Sequence, residues 1–264
     1  MQQHSPTTGF REAKRELAGL TAGMEKRLLA WLAERLPAWV CPDHLTALGL
    51  AAMILGGAAY AASGRYPSLL WAVNLALVLN WFGDSLDGTL ARHRGRLRPR
   101  YGFYVDHVAD VFGALFLVGG LALSGHMAAG VAWGLLVAYL VFSVNLYLAT
   151  YTLGRFKMSY GPVGGTELRL ILAAANLALL AWPTVLLFGR RVRLSDVFGL
   201  LATAGLSGTL LNSVADTTRE LHHLERRGRV VPGAPVEAAV GAAGGMGRLL
   251  SRRRGGASPL RDRL

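Results

Sequence analysis

Residues 80–113 read NWFGDSLDGTLARHRGRLRPRYGFYVDHVADVFG, and this stretch decides how the rest of the chain is read. It holds four of the protein's 16 acidic residues, Asp84, Asp87, Asp106 and Asp110, each beside apolar sequence. A carboxylate buried near lipid costs several kcal/mol unless a partner or a cation compensates it. Four of them near one place repel one another, so something positive belongs among them.

Working outward, apolar blocks flank this stretch on both sides. A membrane-crossing helix needs about 20 mostly apolar residues. Six stretches approach that: about 45–63, 69 to beyond Trp81, 101–124, 127–150, 168–188 and 194–215. The expected fold is all-α, an integral membrane bundle of about six transmembrane helices. Before the first span, Leu17, Leu20, Met24, Leu28 and Trp31 recur every three or four residues among charged ones. That is an amphipathic helix, lying on the membrane surface or packed on the protein's own loops or a partner. Three segments result: 1–41, amphipathic; 42–217, the membrane domain; and 218–264, a basic tail. The tail carries a Gly/Ala-rich run and Arg252, Arg253 and Arg254. It reads as flexible with contacts to anionic lipid headgroups, or as simply solvated.

Composition agrees. The 264 residues carry 28 Lys plus Arg against 16 Asp plus Glu, a net charge of +12, yet 52% are hydrophobic and 17% charged. Mean hydropathy is +0.35 beside a pI near 10.6. So apolar a chain is not disordered over most of its length, nor is it a nucleic-acid binder of the histone kind. A single cysteine, Cys41, excludes an internal disulfide framework. No N-terminal apolar core resembles a signal peptide. With both termini cytoplasmic, all the basic residues except Arg65, Arg190, Arg191 and Arg193 fall on the inside.

Helix spacing places Asp84 and Asp87 on one face, and Asp106 and Asp110 on another. If the second and third spans are antiparallel neighbours, all four converge at the cytoplasmic end. Oxygen-only ligands suit Mg²⁺ or Mn²⁺, and four carboxylates could hold two ions. Gly88 and Ala91 leave room beside the first pair, and Arg92 offers a bidentate guanidinium to phosphate. Either pair taken alone would equally be a helix cap or a salt bridge to the arginines of the loop.

The run D-x2-D-G-x2-A-R-x9-G-x3-D-x3-D, at Asp84, Asp87, Gly88, Ala91, Arg92, Gly102, Asp106 and Asp110, resembles the signature of the CDP-alcohol phosphatidyltransferases without a mismatch. The resemblance implies a six-helix membrane enzyme whose site opens to the cytoplasm. It implies transfer of a substituted phosphate from a CDP-alcohol to an alcohol acceptor, with release of CMP, in phospholipid biosynthesis. The donor would be a CDP-linked lipid or a CDP-aminoalcohol, and membrane lipids the surroundings. Dimerisation is common in the family. The aspartates would bind the metal, and Gly88, Ala91, Arg92 and Gly102 would lie near the nucleotide.

Two smaller similarities add to this. Pro42-Asp43-His44-Leu45-Thr46 is similar to a P-N-x-L-T element, with Asp for Asn, and implies that Thr46 approaches the nucleotide. Asp106-His107-Val108-Ala109-Asp110 and Gly165-Thr166-Glu167 resemble elements of the choline/ethanolamine phosphotransferase branch. There the histidine is the candidate base, assisted by the glutamate; elsewhere in the family the last aspartate has that role. His107 could equally support a metal-bound carboxylate, and Glu167 could be a helix-start charge. Two other classes would also use intramembrane carboxylates: prenyltransferases acting on a prenyl diphosphate, which typically have more spans and lack D-G-x2-A-R, and divalent-cation transporters, which place them near mid-membrane.

Overall fold

A computed structural model describes residues 22–153 and 164–227. Leu17, Leu20, Pro162, Val163 and the tail from 228 onward lie outside the described residues. The order is α1 (Ala22–Arg35), α2 (Pro42–Ser63), α3 (Leu69–His93), α4 (Pro99–Leu123), α5 (Ala129–Leu153), α6 (Gly165–Ala181), β1 (Thr184–Leu187), β2 (Arg190–Arg193) and α7 (Leu194–Arg226). Five of these helices, α2, α3, α4, α5 and α7, are long and apolar enough to cross a membrane. The all-α integral membrane bundle expected from the sequence is therefore the observed architecture.

α2 is the hub. Both α3 and α4 make their main contacts with it rather than with each other, α5 packs on α4 and α7, and α6 packs on α3. The second and third spans, whose adjacency the sequence left as a condition, are thus each held mainly against α2. Small residues make this arrangement possible, because membrane helices gain from close van der Waals packing. A Cβ on Gly57 would stand 2.2 Å from the Phe116 carbonyl oxygen, and one on Gly120 2.0 Å from that of Gly57. On the other side of α2, a Cβ on Gly83 would meet the Leu45 carbonyl oxygen at 2.4 Å. Tyr60, Leu70, Val73, Leu77, Leu117 and Leu121 fill the space between the three helices.

α1 packs on the bundle through a face other than the apolar stripe read from the sequence. Leu29 and Ala33 pack with Leu45, Leu86 and Leu90, whereas Met24, Leu28 and Trp31 are exposed. Arg94 clamps the α1–α2 linker to the end of α3 by donating to the carbonyls of Leu36, Pro37, Ala38 and Val40. One of the loop arginines is therefore a structural donor.

The last third of the chain departs from expectation. The fifth apolar stretch does not stay helical to Phe188: α6 stops at Ala181. Pro183 lacks the N–H that another turn would need and drives Trp182 out of the helical region. Residues 184–187 instead pair antiparallel with 190–193 around Phe188 and Gly189, both at positive φ, as a two-residue hairpin turn requires. Arg190, Arg191 and Arg193 lie on this hairpin. With 17 residues, α6 spans about 25 Å, less than the ~30 Å hydrocarbon core. α7 runs without a break past residue 217 to Arg226.

Buried polar bonds set the register of α6. The Tyr60 hydroxyl donates to Asn176 Oδ1 at 2.5 Å, and Asn176 Nδ2 donates to Asn74 Oδ1 at 2.8 Å. Asn145 of α5 donates to the Ser213 hydroxyl of α7 at 2.8 Å. At the end of the bundle where α4 stops, Ser195 donates to the His126 carbonyl and the Ala128 N–H to Asp196.

Two outcomes follow from this packing. Gly120→Val would force α4 off α2 and should lower the unfolding free energy by about 3 kcal/mol, the upper range of overpacking costs, read as a lowered melting temperature in detergent. His126, in the α4–α5 connection, is held below its ordinary pKa by desolvation, partly offset by a hydrogen bond with Ser63. The unfolded chain therefore binds the proton more readily, so this stability is present above about pH 6.5 and is lost as pH falls. Melts from pH 7.5 to 5.5 should show a steeper decline for the native protein than for His126→Gln.

Candidate active site

α3 and α4 reach the same end of the bundle with α2 between them, and their acidic residues meet there. Ligand oxygens of Asp84, Asp106 and Asp110 lie within 4.8 Å of one another, all partly buried. Asp84 comes from α3, one residue after the glycine that lets α3 touch α2. Asp106 and Asp110 come from successive turns of α4. Three carboxylates so close, all oxygen donors, fit a hard divalent cation such as Mg²⁺ or Mn²⁺.

Asp87 does not join this group. It lies nearly one turn further along α3, where its Oδ2 accepts from the Thr46 hydroxyl at 2.6 Å and its Oδ1 from the Gly88 N–H. Thr46 thus reaches α3 from the first turns of α2. Among the described residues the face around Gly88 is open: an added Cβ would meet only the Arg92 guanidinium, at 3.7 Å. Arg92 in turn donates to Thr89 Oγ1 at 3.2 Å. Ala91 is buried, and a Cβ on Gly102 would meet nothing within 4 Å among the described residues.

A basic pocket of about 340 Å³ opens at this end, between Pro42 and Asp43 at the start of α2 and Arg94, Arg96 and Arg98 of the α3–α4 connection. Arg98 pairs with Asp43, which raises the arginine's pKa further, and its guanidinium lies 4.3 Å over the Tyr101 ring. The Asp that replaces Asn in the P-N-x-L-T element is therefore an arginine partner.

His107 is buried beside the cluster. Its ring stacks on Phe103 at 4.0 Å and meets Tyr147 edge-on at 4.7 Å. Nδ1 lies 2.8 Å from the Phe103 carbonyl oxygen, which can only accept. Nδ1 also lies 3.6 Å from Asp106 Oδ2, so in the uncharged form of the ring the proton belongs on Nδ1 and the lone pair on Nε2. Glu167 accepts from the Gly164 N–H at 2.9 Å, the position of a charge capping the start of α6.

Three residues that the sequence reading passed over complete the site. Arg169 of α6 places Nη2 2.5 Å from Asp84 Oδ2 and donates from Nε to Asn80 Oδ1 at 2.8 Å. Asn80 Nδ2 donates to the Gly49 carbonyl at 3.2 Å. Glu25 Oε1 accepts from Trp81 Nε1 at 2.8 Å and from the Thr166 hydroxyl at 2.7 Å, joining α1, α3 and α6. A cation near the head of an apolar helix is a usable sequence signal for Arg169. No spacing rule points to Glu25, which acts across 141 residues.

Glu25→Ala should destabilise the protein by about 1–3 kcal/mol, because two donors lose one charged acceptor. Glu25→Gln, which retains a carbonyl acceptor, should lose less. Thermal melts of the two variants test the difference.

Comparison with known proteins supplies a family for this geometry. Residues 39–209 match the family described as CDP-alcohol phosphatidyltransferase. The chain is 33% identical over 158 residues to the CDP-diacylglycerol–serine O-phosphatidyltransferase of Encephalitozoon cuniculi, covering 56% of this chain and 40% of that protein. It is 26% identical over 191 residues to cholinephosphotransferase 1 of Gallus gallus, covering 67% of this chain and 56% of that protein. The chain thus spans about half the length of these curated relatives. The match runs from the linker before α2 into α7 and takes in every residue of the aspartate signature, so the chain belongs to the CDP-alcohol phosphatidyltransferase family.

Proposed function

We propose that this protein is a metal-dependent transferase that moves a substituted phosphate from a CDP-alcohol to an alcohol acceptor and releases CMP, in phospholipid biosynthesis. The observation that carries this reading is the meeting of Asp84, Asp106 and Asp110 at one end of a membrane bundle, inside the region that matches the family. The fourth aspartate, Asp87, completes the polar wall of the site through Thr46.

Mg²⁺ or Mn²⁺ held by these aspartates would neutralise the diphosphate and the charge on the departing CMP. Everything else falls to the chain's own residues. The open face at Gly88, with Gly102, admits the nucleotide end of the donor, while Ala91 is buried behind it, and Arg92 and the basic pocket attract its phosphates. His107 takes the proton of the attacking hydroxyl on Nε2, its ring being aligned by the Phe103 carbonyl. The acceptor oxygen forms the new P–O bond, and the bond from phosphorus to the CMP oxygen breaks. Asp110 is the other candidate base, but a carboxylate engaged with a divalent ion is a weak one. Glu167 supports the start of α6. The site faces the cytoplasm, as do both termini, because the site end carries the arginine-rich α3–α4 connection.

The two relatives differ in the donor that their names indicate. The serine O-phosphatidyltransferase favours CDP-diacylglycerol and a small polar acceptor, with the diacylglycerol moving alongside the phosphate. The cholinephosphotransferase, together with the D-H-x-x-D element, favours a CDP-aminoalcohol and a lipid acceptor. A homodimer in the membrane is compatible with either.

CMP release by purified protein in detergent tests the reading, with CDP-diacylglycerol plus serine or other small alcohols in one arm. The other arm pairs CDP-choline or CDP-ethanolamine with diacylglycerol. Chelation should abolish release, and Asp106→Asn should reduce it by at least about 10³-fold while the protein still inserts. His107→Gln should cost about 10²–10⁴-fold and remove the lower limb of the pH–rate profile. Retention of that limb in His107→Gln, and its loss in Asp110→Asn, would move the base to Asp110. Turnover of a prenyl diphosphate, or metal flux in proteoliposomes without nucleotide, would overturn the reading.

A further inference from the structure

The carboxylate cluster is supplied with a cation from within the chain. Arg169 stands at the head of an apolar helix, and its guanidinium crosses to α3. Nη2 meets Asp84 Oδ2 at 2.5 Å, while Nε is held by Asn80 Oδ1 at 2.8 Å. The pair is largely sheltered, with the side chains of Arg169 and Asp84 17% and 25% exposed. Asp84 is also one of the three carboxylates within 4.8 Å of one another. One carboxylate therefore faces two claims, from the arginine and from a divalent ion.

Resting on the metal site of the proposed function, we propose that Arg169 is an intrinsic counter-ion of this site: it holds Asp84 in the metal-free protein, yields that oxygen to the incoming divalent ion, and so sets the site's metal affinity. The physical argument is electrostatic. Three clustered carboxylates in a low-dielectric setting repel one another, and a guanidinium on one of them relieves the repulsion without metal. A divalent ion brought to the same oxygens is repelled by the guanidinium, so binding must separate Arg169 from Asp84.

The anchoring decides what happens next. Asn80 grips Nε and is itself fixed by the Gly49 carbonyl, and the Tyr60–Asn176–Asn74 chain holds α6 two turns further along. Because the guanidinium is planar and rigid, displacement tilts the whole group about the Nε–H···Oδ1 bond to Asn80 and carries Nη2 off Asp84. The released guanidinium stays beside the site, with a fork suited to phosphate oxygens. Metal and a nucleotide phosphate should then assist each other's binding, since the phosphate gives the displaced arginine a new partner. Arg169 is a positioning residue in this account, and it does not take part in the chemical step.

The test reads metal binding without turnover. Mn²⁺ is titrated into the purified full-length protein in detergent, and free Mn²⁺ is followed by electron paramagnetic resonance, with and without CDP. Native protein and Arg169→Gln are compared. In the absence of nucleotide, Arg169→Gln should bind Mn²⁺ about 5–150-fold more tightly, the range of ordinary coupling between two sites. CDP should tighten Mn²⁺ binding to the native protein and do so less in the variant. The metal-free variant should melt at a lower temperature than native protein and recover when Mn²⁺ is added. Mn²⁺ binding to Arg169→Gln that equals or falls below the native value overturns the proposal. If Arg169→Gln does not fold, Arg169→Met decides the matter. It keeps the length of the apolar stem and removes the charge, so it should bind Mn²⁺ more tightly than native protein, and an unchanged affinity counts against the proposal. Absence of Mn²⁺ binding by native protein, judged against Asp84→Asn, would instead remove the metal site itself and the counter-ion role with it.

Discussion

The close approach of α3 and α4 to the two glycine-bearing faces of α2 is the contact on which the rest of the molecule depends. At Gly57 and Gly120 the backbones of α2 and α4 touch, and at Gly83 that of α3 meets α2. Lipid tails are as apolar as leucine, so in a membrane there is little hydrophobic gain in bringing helices together. Small residues supply the gain through direct packing instead. With α3 and α4 each fixed to α2 and not to each other, their ends form two walls with space between. The aspartates stand on those walls. A bulkier α2 would still give apolar helices, but it would separate Asp84 from Asp106 and Asp110.

Gathering carboxylates creates a charge problem, and much of the remaining polar structure addresses it. Arg169 faces Asp84, the Thr46 hydroxyl and the Gly88 amide serve Asp87, and the arginines of the α3–α4 connection stand at the rim. These groups are supplied by α2, α3, α6 and the loop, so the site is assembled from parts far apart in the chain. Glu25 adds the surface helix by bonding Trp81 beside the site and Thr166 at the start of α6. α1 consequently belongs to the site's framework as well as to the surface of the bundle.

Much of this was legible in the sequence, for identifiable reasons. The aspartates were visible because charge beside apolar sequence is rare and costly, and their three- and four-residue spacing is a local property of a helix. Gly88 and Arg92 were visible because they fall in the same few turns. The fifth apolar stretch was misjudged because hydropathy alone does not separate a helix from a strand of Thr-Val-Leu-Leu; Pro183 and the Phe188–Gly189 turn make the difference. Adjacency of α3 and α4 was only a condition for their aspartates to meet, and the glycines of α2 draw each helix to a separate face.

The sequence by itself determined the class of fold, the spacing of the signature and the chemistry that four acids, two small residues and an arginine can support. These follow from composition and from helix periodicity, which are local. Tertiary structure alone decided which acids share a site: three converge, and Asp87 turns to Thr46. It also decided that Arg169, Asn80 and Glu25 belong there, and that one loop arginine is a backbone clamp. The reason is physical: a charge in a membrane protein takes its role from what faces it across the bundle, and helix crossing, not sequence spacing, sets that partner.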